Sequence, residues 1–417
     1  MRRLDAHRVW LGFQGVEAFA FALGWTVAPV FFLRELDFSP LALVLAGTAL
    51  EVAYFAFEIP TGIVADTYGR RLSVVVGVAG LGVGFVVTGF SGGLGVVLAA
   101  AAFMGFMWTF KSGAEEAWIT DEVGVEASGR SFQLGAQTGR VGALLGIGAA
   151  VGLALVDLRI PIVAGGVLLV LLAAALAVVM PETSFRSARR PDVSALGSMV
   201  GTARDGGSLI RRQPILLLIV SISFFLGVSD EGFDRLWEAQ FLLEVGVPGF
   251  AGLDQVVWFG VLGAGAIALS IVVAQPLARR FAAMGPRRLA RSLLVCDGLR
   301  IAGLLAFAFA GSFAVALGAF WAARLVRSLA APVRSTWLNA NVCDSSVRAT
   351  VLSMTNVFES AGEWGGGPAL GGIGNVFGIR AALAGSAAAL LPALALYGRA
   401  MRRHGREPEL AVEVAPV

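Results

Sequence analysis

The sequence predicts an all-α membrane protein with twelve transmembrane helices in two pseudo-symmetric six-helix bundles, and three observations predict it. The first is composition, because 57% of the 417 residues are hydrophobic, 15% are charged and the mean hydropathy is +0.79. A helix needs roughly 20 apolar residues to cross the hydrocarbon core, so this stock fills about twelve spans. The second is a series of apolar runs separated by short charged stretches, and the third is an internal repeat. The composition excludes a disordered chain, a disulfide scaffold and most soluble enzymes.

Six apolar runs place the helices of the first bundle, to which we assign residues 1–181. Each run is long enough to cross the membrane and ends where charged residues, proline or glycine interrupt it. The predicted helices, in order, are 9–33, 41–65, 72–90, 94–120, 131–155 and 159–180.

A linker separates the two bundles. Between Pro181 and Pro214 the apolar density falls and arginines gather, which predicts a cytoplasmic linker over 182–213. Six further apolar runs fill the second bundle, 214–399, and 400–417 form a predicted cytoplasmic tail. The predicted helices of this bundle, in order, are 214–243, 254–278, 289–310, 312–337, 350–375 and 379–399.

The loop arginines predict the orientation. With the N-terminus in the cytoplasm, the odd-numbered connections carry only Arg34, Arg159 and Arg380. The even-numbered connections carry most of the others, including Arg70 and Arg71. Because positive residues accumulate on the cytoplasmic side, we expect a multi-pass protein of the cell (cytoplasmic) membrane with both termini in the cytoplasm.

The two bundles repeat each other in sequence. The aligned segments are 59–71 with 275–287 at an offset of 216, 113–118 with 332–337 at 219, and 139–142 with 362–365 at 223. Each pair occupies the same helix number within its own bundle. Two parallel six-helix halves related by an axis along the membrane normal are an architecture of alternating-access transporters.

The connection after span two carries a motif, Gly62-Ile-Val-Ala-Asp66-Thr-Tyr-Gly69-Arg70-Arg71. It resembles the signature of the major facilitator superfamily, whose fold has twelve helices. Segments 57–62, 112–118 and 232–238 resemble the tetracycline and macrolide (multidrug) efflux branch. The resemblance implies a drug:proton antiporter. Two features depart from it, because span five (139–146) lacks the antiporter proline and Thr109 replaces the usual arginine of span four.

The residue types of this motif predict a gate. Gly62 and Gly69 allow close backbone approach and a tight turn. Asp66 can accept hydrogen bonds from a helix N-terminus, for which we expect the start of span eleven. Arg70 and Arg71 can reach carboxylates or lipid phosphate. We expect a latch that closes the cytoplasmic side; the alternative is simple positive-inside anchoring.

A second gating feature lies in span eleven. Gly367 and Pro368 remove side-chain bulk and one backbone donor, so we expect close packing and a helix kink there. The alternative is close packing without a gating role.

Glu17 is the first candidate for proton or cation coupling, because it lies near the middle of span one. An ionisable residue at this depth in the bilayer is energetically unfavourable, so each one is a candidate functional residue. A carboxylic acid in a low-dielectric cavity can bind a proton near neutral pH. Gln14, Phe21 and Trp25 share its helix face and suit an amphipathic organic substrate. The alternative is a structural ion pair with Arg140 or Arg324.

Further charges fall within predicted spans. Asp234 and Arg235 of span seven are expected at a second proton site or an outer gate, against a hydrated helix end as the alternative. Arg140 and Glu363 occupy equivalent repeat positions with opposite charge and are expected to line the cavity or pair within their own halves. Arg324 also falls mid-span.

For three more charged residues we predict a structural role rather than a role in transport. Asp297 and Arg300 are spaced to pair on span nine. Lys111, the one lysine of the sequence, is expected to extend toward the cytoplasmic surface.

These observations predict a secondary active transporter that exports amphipathic organic compounds by alternating access, driven by protons, and so contributes to multidrug resistance. Its partners are a small organic substrate, protons and the lipid bilayer, without nucleic acid, and we expect a monomer. No enzyme motif appears. His7 and His404 are far apart and Cys296 and Cys343 lack ligand spacing, so we expect no metal and no cofactor. The alternatives are a transporter of a specific metabolite, or a non-coupled lipid scramblase or receptor with the same fold.

Overall fold

Twelve helical segments follow one another in the computed structural model, which describes residues 5–185, 214–249, 254–281, 284–341 and 345–404. Most of the predicted linker and tail, 186–213 and 405–417, lies outside the described residues. The first half contains α1 (Ala6–Trp25 and Ala28–Arg34), α2 (Pro40–Tyr68), α3 (Arg70–Gly89), α4 (Leu94–Lys111 and Ala114–Val123), α5 (Val125–Ala154) and α6 (Arg159–Val179).

The second half has the same number of segments. They are α7 (Pro214–Ala239, continued by a π-helical turn Gln240–Val245), α8 (Val256–Leu269, a π-helical turn Ser270–Ala274, and Gln275–Ala278), α9 (Pro286–Ala308), α10 (Phe313–Asn341), α11 (Ser345–Phe377) and α12 (Ile379–Ala388 and Leu391–His404). The described part of the chain contains no β-strand.

Nine of the described helices are long and apolar enough to cross a membrane by length and composition alone. The other three are α5, α9 and α11. These helices are rich in charged or small residues, among them Arg140, Arg300 and Glu363. Such residues are tolerated where they face protein or a cavity rather than lipid: Arg300 is buried, and Glu363 lines a cavity.

Two predicted helices are interrupted rather than continuous. α1 breaks at Thr26 and Val27, just before Pro29, whose ring lacks the backbone donor that a continuous helix needs. α4 breaks at Ser112 and Gly113, where Gly113 has a φ of +69°, a left-handed conformation that favours glycine. The break turns the last ten residues of α4 into a separate piece that contains Glu115.

Equivalent helices pack together in the two halves. α1 packs on α5 in the first half, and α7 packs on α11 in the second. In each pair a glycine lies against the backbone of the facing helix: Gly142 against Gly15, and Gly362 against Phe224. Both glycines lie within the aligned segments 139–142 and 362–365, but at different positions of the alignment, because Gly142 aligns with Gly365.

The halves meet through α2, which contacts α11 and α7, and through α5, which contacts α8. We call the end of the molecule that carries the odd-numbered connections the odd-connection end. There, Arg34 donates to Asp254 and Gln255, each at 2.9 Å. Leu41 N also donates to the Asn375 side-chain oxygen at 2.9 Å. These hydrogen bonds join the halves and close this end of the interface between them.

Candidate functional site

Four cavities that share lining residues form what we call the chamber; both halves line three of them, and the first half alone lines the fourth. The Glu17 cavity, about 440 Å³, and the central cavity, about 370 Å³, share Trp25 and Trp108. The acidic cavity, about 310 Å³, shares Tyr54 with the central cavity. The enclosed cavity, about 200 Å³, shares Trp25, Leu50 and Arg235 with the central cavity.

The predicted cavity face of α1 lies on the Glu17 cavity. Gln14, Glu17, Phe21 and Trp25 all line it, because residues three and four apart on a helix share a face. Across the cavity, Trp108 of α4 lies 5.1 Å from the Phe21 ring. The structure thus brings a carboxylate, an amide and aromatic rings to one wall.

Lys111 is the partner of Glu17, in place of the arginines considered from sequence. Its Nζ lies 3.3 Å from Glu17 Oε2 and 2.7 Å from Glu115 Oε1. Gln14 Nε2 donates to Glu115 at 3.4 Å. Lys111 is 6% exposed, so the expectation that it extends to the surface is wrong. The packing of α1 against the α4 break encloses this ammonium group, and two carboxylates share one cation.

One sequence signal could have found this pair. The only lysine in the chain stands at the end of an apolar run, four residues before Glu115. This spacing favours an ion pair on one helix face. An ion pair in turn lowers the energetic cost of burying a lysine in the membrane interior.

The charges of α7 pair mainly with other helices. Asp234 binds Arg324 at 2.9 Å and Arg327 at 2.6 Å, both on α10. Arg235 binds Glu231 at 3.0 Å and lines both the central and the enclosed cavities. Asp234 lines the enclosed cavity as well.

Two further arginines, Arg324 of α10 and Arg300 of α9, contact side chains of α7. The Arg324 guanidinium lies over the Phe233, Trp237 and Phe320 rings at 5.1, 5.9 and 5.4 Å. Asp230 is buried against Arg300 of α9, so the predicted pairing of Arg300 with Asp297 is wrong. Asp297 instead faces Arg334 at 3.7 Å.

Arg140 and Glu363 lie apart. The Arg140 guanidinium nitrogens lie 2.8 and 2.9 Å from the side-chain oxygen of Gln275 on α8, once that amide is oriented to accept. Arg140 therefore bonds across the interface between the halves. Glu363 lines the acidic cavity together with Glu58 and Glu359.

Further charged residues line the chamber or pair with its lining residues, and of these Glu359 and Arg327 were not predicted from sequence. Glu51 lines the central cavity, Glu359 the acidic cavity and Glu238 the enclosed cavity. Arg327 bonds to Asp234 from α10. The signal for each was a charged residue within an apolar run, which marks an interior position without saying what it faces.

The motif after α2 forms a compact turn. Gly69 ends α2 with a φ of +122°. Asp66 binds Arg70 at 2.5 Å, and Arg70 lies 3.9 Å from Asp121. Glu182 accepts a hydrogen bond from Arg71 N at 2.9 Å, so this carboxylate, rather than Asp66, caps the start of α3. Outside the nearby backbone of its own helix, no described atom lies within 4 Å of the position that a Cβ of Gly62 would take.

The expected contact of Asp66 with the start of α11 remains a prediction. The side chains of 345–350, at the start of α11, lie outside the described residues.

The glycine and proline of α11 lie inside a continuous helix, Ser345–Phe377. A Cβ added at Gly367 would lie 2.9 Å from Glu231 Cγ and 3.1 Å from Val44 Cγ1. Gly367 therefore lets α11 approach both α7 and α2, while the kink at Pro368 stays a prediction. Among the residues that the structure describes, no group of three His, Cys, Asp or Glu side chains is arranged to hold a metal ion.

Comparison with known proteins gives one family. The family model described as Major Facilitator Superfamily matches residues 12–362. No curated protein matches the sequence. Among solved structures, the nucleoside transporter NupG is similar with a TM-score of 0.76 at 13% identity, over 96% of this chain and 100% of that chain.

Two further solved structures are similar over their whole length. The peptide transporter POT in complex with sulfate has a TM-score of 0.73 at 15% identity, over 95% of this chain and 94% of that chain. A bacterial homolog of the human lysosomal transporter Spinster, inward-facing and occupied, has a TM-score of 0.70 at 15% identity, over 95% and 96% of the two chains. At these identities the likeness shows the fold alone.

Proposed function

The chain belongs to the major facilitator superfamily and is a secondary transporter rather than an enzyme, and on this premise we propose that it exports amphipathic organic compounds in exchange for protons. The chamber between the halves is the substrate site of this proposal. The resemblance of segments 112–118 and 232–238 to the tetracycline and macrolide efflux branch supports export as the direction.

The observation that carries the proposal is the Glu17 cavity, where a buried carboxylate and aromatic rings line the same space. Trp25 and Trp108 offer apolar faces that suit the ring system of an amphipathic compound. Ligand sites of this kind are mostly apolar, with a few polar groups that fix orientation. Both halves line the adjoining central cavity, to which α7 contributes Arg235, so a bound compound contacts both.

Proton coupling follows from the shared ammonium group. Glu17 and Glu115 together carry one more negative charge than Lys111 can balance. A proton bound by either acid makes the cluster neutral. A neutral cluster costs less to enclose when the halves close around it, so proton binding favours one of the alternating conformations over the other.

Transport in proteoliposomes tests the proposal. With an acidic lumen, protons leaving the vesicle should drive uptake of a fluorescent amphipathic dye, and nigericin should abolish it. Glu17→Gln should stop this uptake while dye-for-dye exchange continues, because exchange needs no net proton movement. Glu126→Gln makes the same chemical change at an exposed position of α5 and should leave both activities intact.

Three results would count against the proposal. Full gradient-driven uptake by Glu17→Gln would remove Glu17 from coupling. No movement of any amphipathic dye would favour a carrier of one specific metabolite. Lipid movement without a pH gradient would favour a scramblase.

A further inference from the structure

The enclosed cavity is the smallest compartment of the chamber, about 200 Å³, and lies between α7 and the helices of the first half. Its two walls differ in chemistry. The first-half wall is largely apolar and includes Trp25, Phe32, Phe85 and Met104. The wall from α7 is charged and consists of Asp234, Arg235 and Glu238.

Glu238 is the charged group of this wall that forms no ion pair with any described residue. It is 6% exposed, and its Oε2 has no hydrogen-bond partner among the described residues. The neighbouring arginines are engaged elsewhere, Arg235 with Glu231 at 3.0 Å and Arg324 with Asp234 at 2.9 Å. A buried carboxylate without an ion-pair partner is energetically unfavourable. A ligand cation that pairs with Glu238 therefore removes this unfavourable energy, and its binding is favoured.

The apolar wall restricts what that cation can be. Trp25 and Phe85 stack edge to face, with ring centroids 5.2 Å apart, and both rings line the cavity. Aromatic faces attract organic cations, whereas a hydrated inorganic ion would lose its water without receiving enough oxygen ligands. An ammonium group attached to an apolar body satisfies both walls.

We infer that the enclosed cavity binds the protonated amine of the cargo, with Glu238 accepting a hydrogen bond from the ammonium group and the first-half wall holding the adjoining apolar part. This inference rests on the proposed function, because it names the class of compound that the chamber takes. The cavity shares Trp25, Leu50 and Arg235 with the central cavity, so cargo reaches it from the chamber.

Binding to the purified full chain, without a pH gradient, tests the inference. The probes are 2-naphthylmethylamine, 2-naphthylmethanol and 2-naphthoate, which share one ring system and differ in charge. Equilibrium dialysis should give the amine at least tenfold tighter binding than the alcohol or the carboxylate. Glu238→Gln should reduce the amine-to-alcohol ratio to near one. Glu244→Gln, on the same helix but paired with Arg380 outside the cavity, should keep the ratio.

Equal binding of amine and alcohol to the unaltered protein, or a ratio retained in Glu238→Gln, would overturn the inference. Unchanged alcohol binding shows that the variant is folded. A second measurement leaves Glu238 in place: the amine, but not the carboxylate, should slow maleimide labelling of Thr88→Cys, which lines the cavity. Absence of that protection also overturns the inference. Selective amine binding without gradient-driven export would contradict the proposed function alone.

Discussion

Lys111 holds two carboxylates at once, Glu17 of α1 and Glu115 of its own helix. Its ammonium group also lies 5.5 Å from the Trp108 ring and 5.9 Å from the Phe13 ring. Aromatic faces add to the attraction of the two acids. At the scale of single residues, the Lys111 ammonium group therefore holds in place the two carboxylates, Glu17 and Glu115, to which we assign proton binding.

Lys111→Met should destabilise the protein by about 3–5 kcal/mol, because it leaves two buried carboxylates without a counterion. The loss should grow as pH rises, since both acids must then be ionised. Thermal unfolding in detergent measures it.

Two controls bracket this prediction. Lys111→Arg keeps the charge and should lose less stability. Adding Glu17→Gln and Glu115→Gln to Lys111→Met should recover most of the loss. A Lys111→Met variant with unchanged unfolding at alkaline pH would mean that the ion pairs contribute nothing.

At the scale of helices, glycine sets how closely the equivalent pairs approach. Gly142 of α5 lies against the backbone of Gly15 on α1, and Gly362 of α11 lies against that of Phe224 on α7. Small residues at helix contacts in membranes let backbones approach closely. Since α1 carries Glu17 and α7 carries Asp234 and Glu238, these contacts also fix where those three acids lie.

Gly142→Val should lower the stability by about 1–3 kcal/mol, because the new side chain meets backbone that cannot move aside. Gly148→Val on the same helix is the matched control, since outside the nearby backbone of that helix no described atom lies within 4 Å of a Cβ at this position. Thermal unfolding of the two variants should separate them. Equal losses would show that helix propensity, rather than packing, sets the cost.

At the scale of the whole molecule, polar contacts between the halves close the odd-connection end. Arg34 reaches Asp254 and Gln255 across the interface, and Arg159 binds Glu35 within the first half at 2.8 Å. Alternating access requires such contacts to break when the halves rock. The Arg34–Asp254 pair is partly exposed and weak enough to break in each cycle.

Asp254→Asn should increase access to the chamber from the odd-connection end. Maleimide labelling of Thr88→Cys, in a Cys296→Ser and Cys343→Ser background, should become severalfold faster. Glu244→Gln is the control, because its pair with Arg380 lies at the same end but within one half. Equal labelling rates in the two variants would mean that the Arg34 contact does not hold this end closed.

The Arg34–Asp254 pair also predicts how closure of the odd-connection end depends on pH. Partial burial raises the pKa of Asp254, but hydrogen bonds from Val256 N and Arg34 outweigh it, so the pKa is lowered overall. Because this pKa is lowered, the Arg34–Asp254 contact stabilises the closed end fully at pH values above the ordinary pKa of an aspartate. This stabilisation is lost as the pH falls through the lowered pKa of Asp254. We therefore expect the labelling rate of Thr88→Cys with Asp254 intact, expressed relative to that of a small free thiol at the same pH, to stay constant from neutral to mildly acidic pH, because the reference thiol cancels the loss of reactive thiolate.

The sequence alone predicted the helices, their order and the match between halves, because hydrophobic runs and their interruptions are local properties of the chain. It also predicted which face of α1 carries Gln14, Glu17, Phe21 and Trp25, since helical spacing fixes a shared face. Glu231 and Arg235 stand four residues apart on α7 and form an ion pair, as helical spacing favours.

Only the tertiary structure decided which charges meet. Glu17 pairs with Lys111 and Arg300 with Asp230, and in each case the partner lies on another helix. Such pairs depend on how each helix is rotated and how closely its neighbour approaches, and neither quantity is encoded by spacing along one chain segment. The same reason explains why Glu238 could be recognised as buried and unpaired only once α7 was seen packed against the first half.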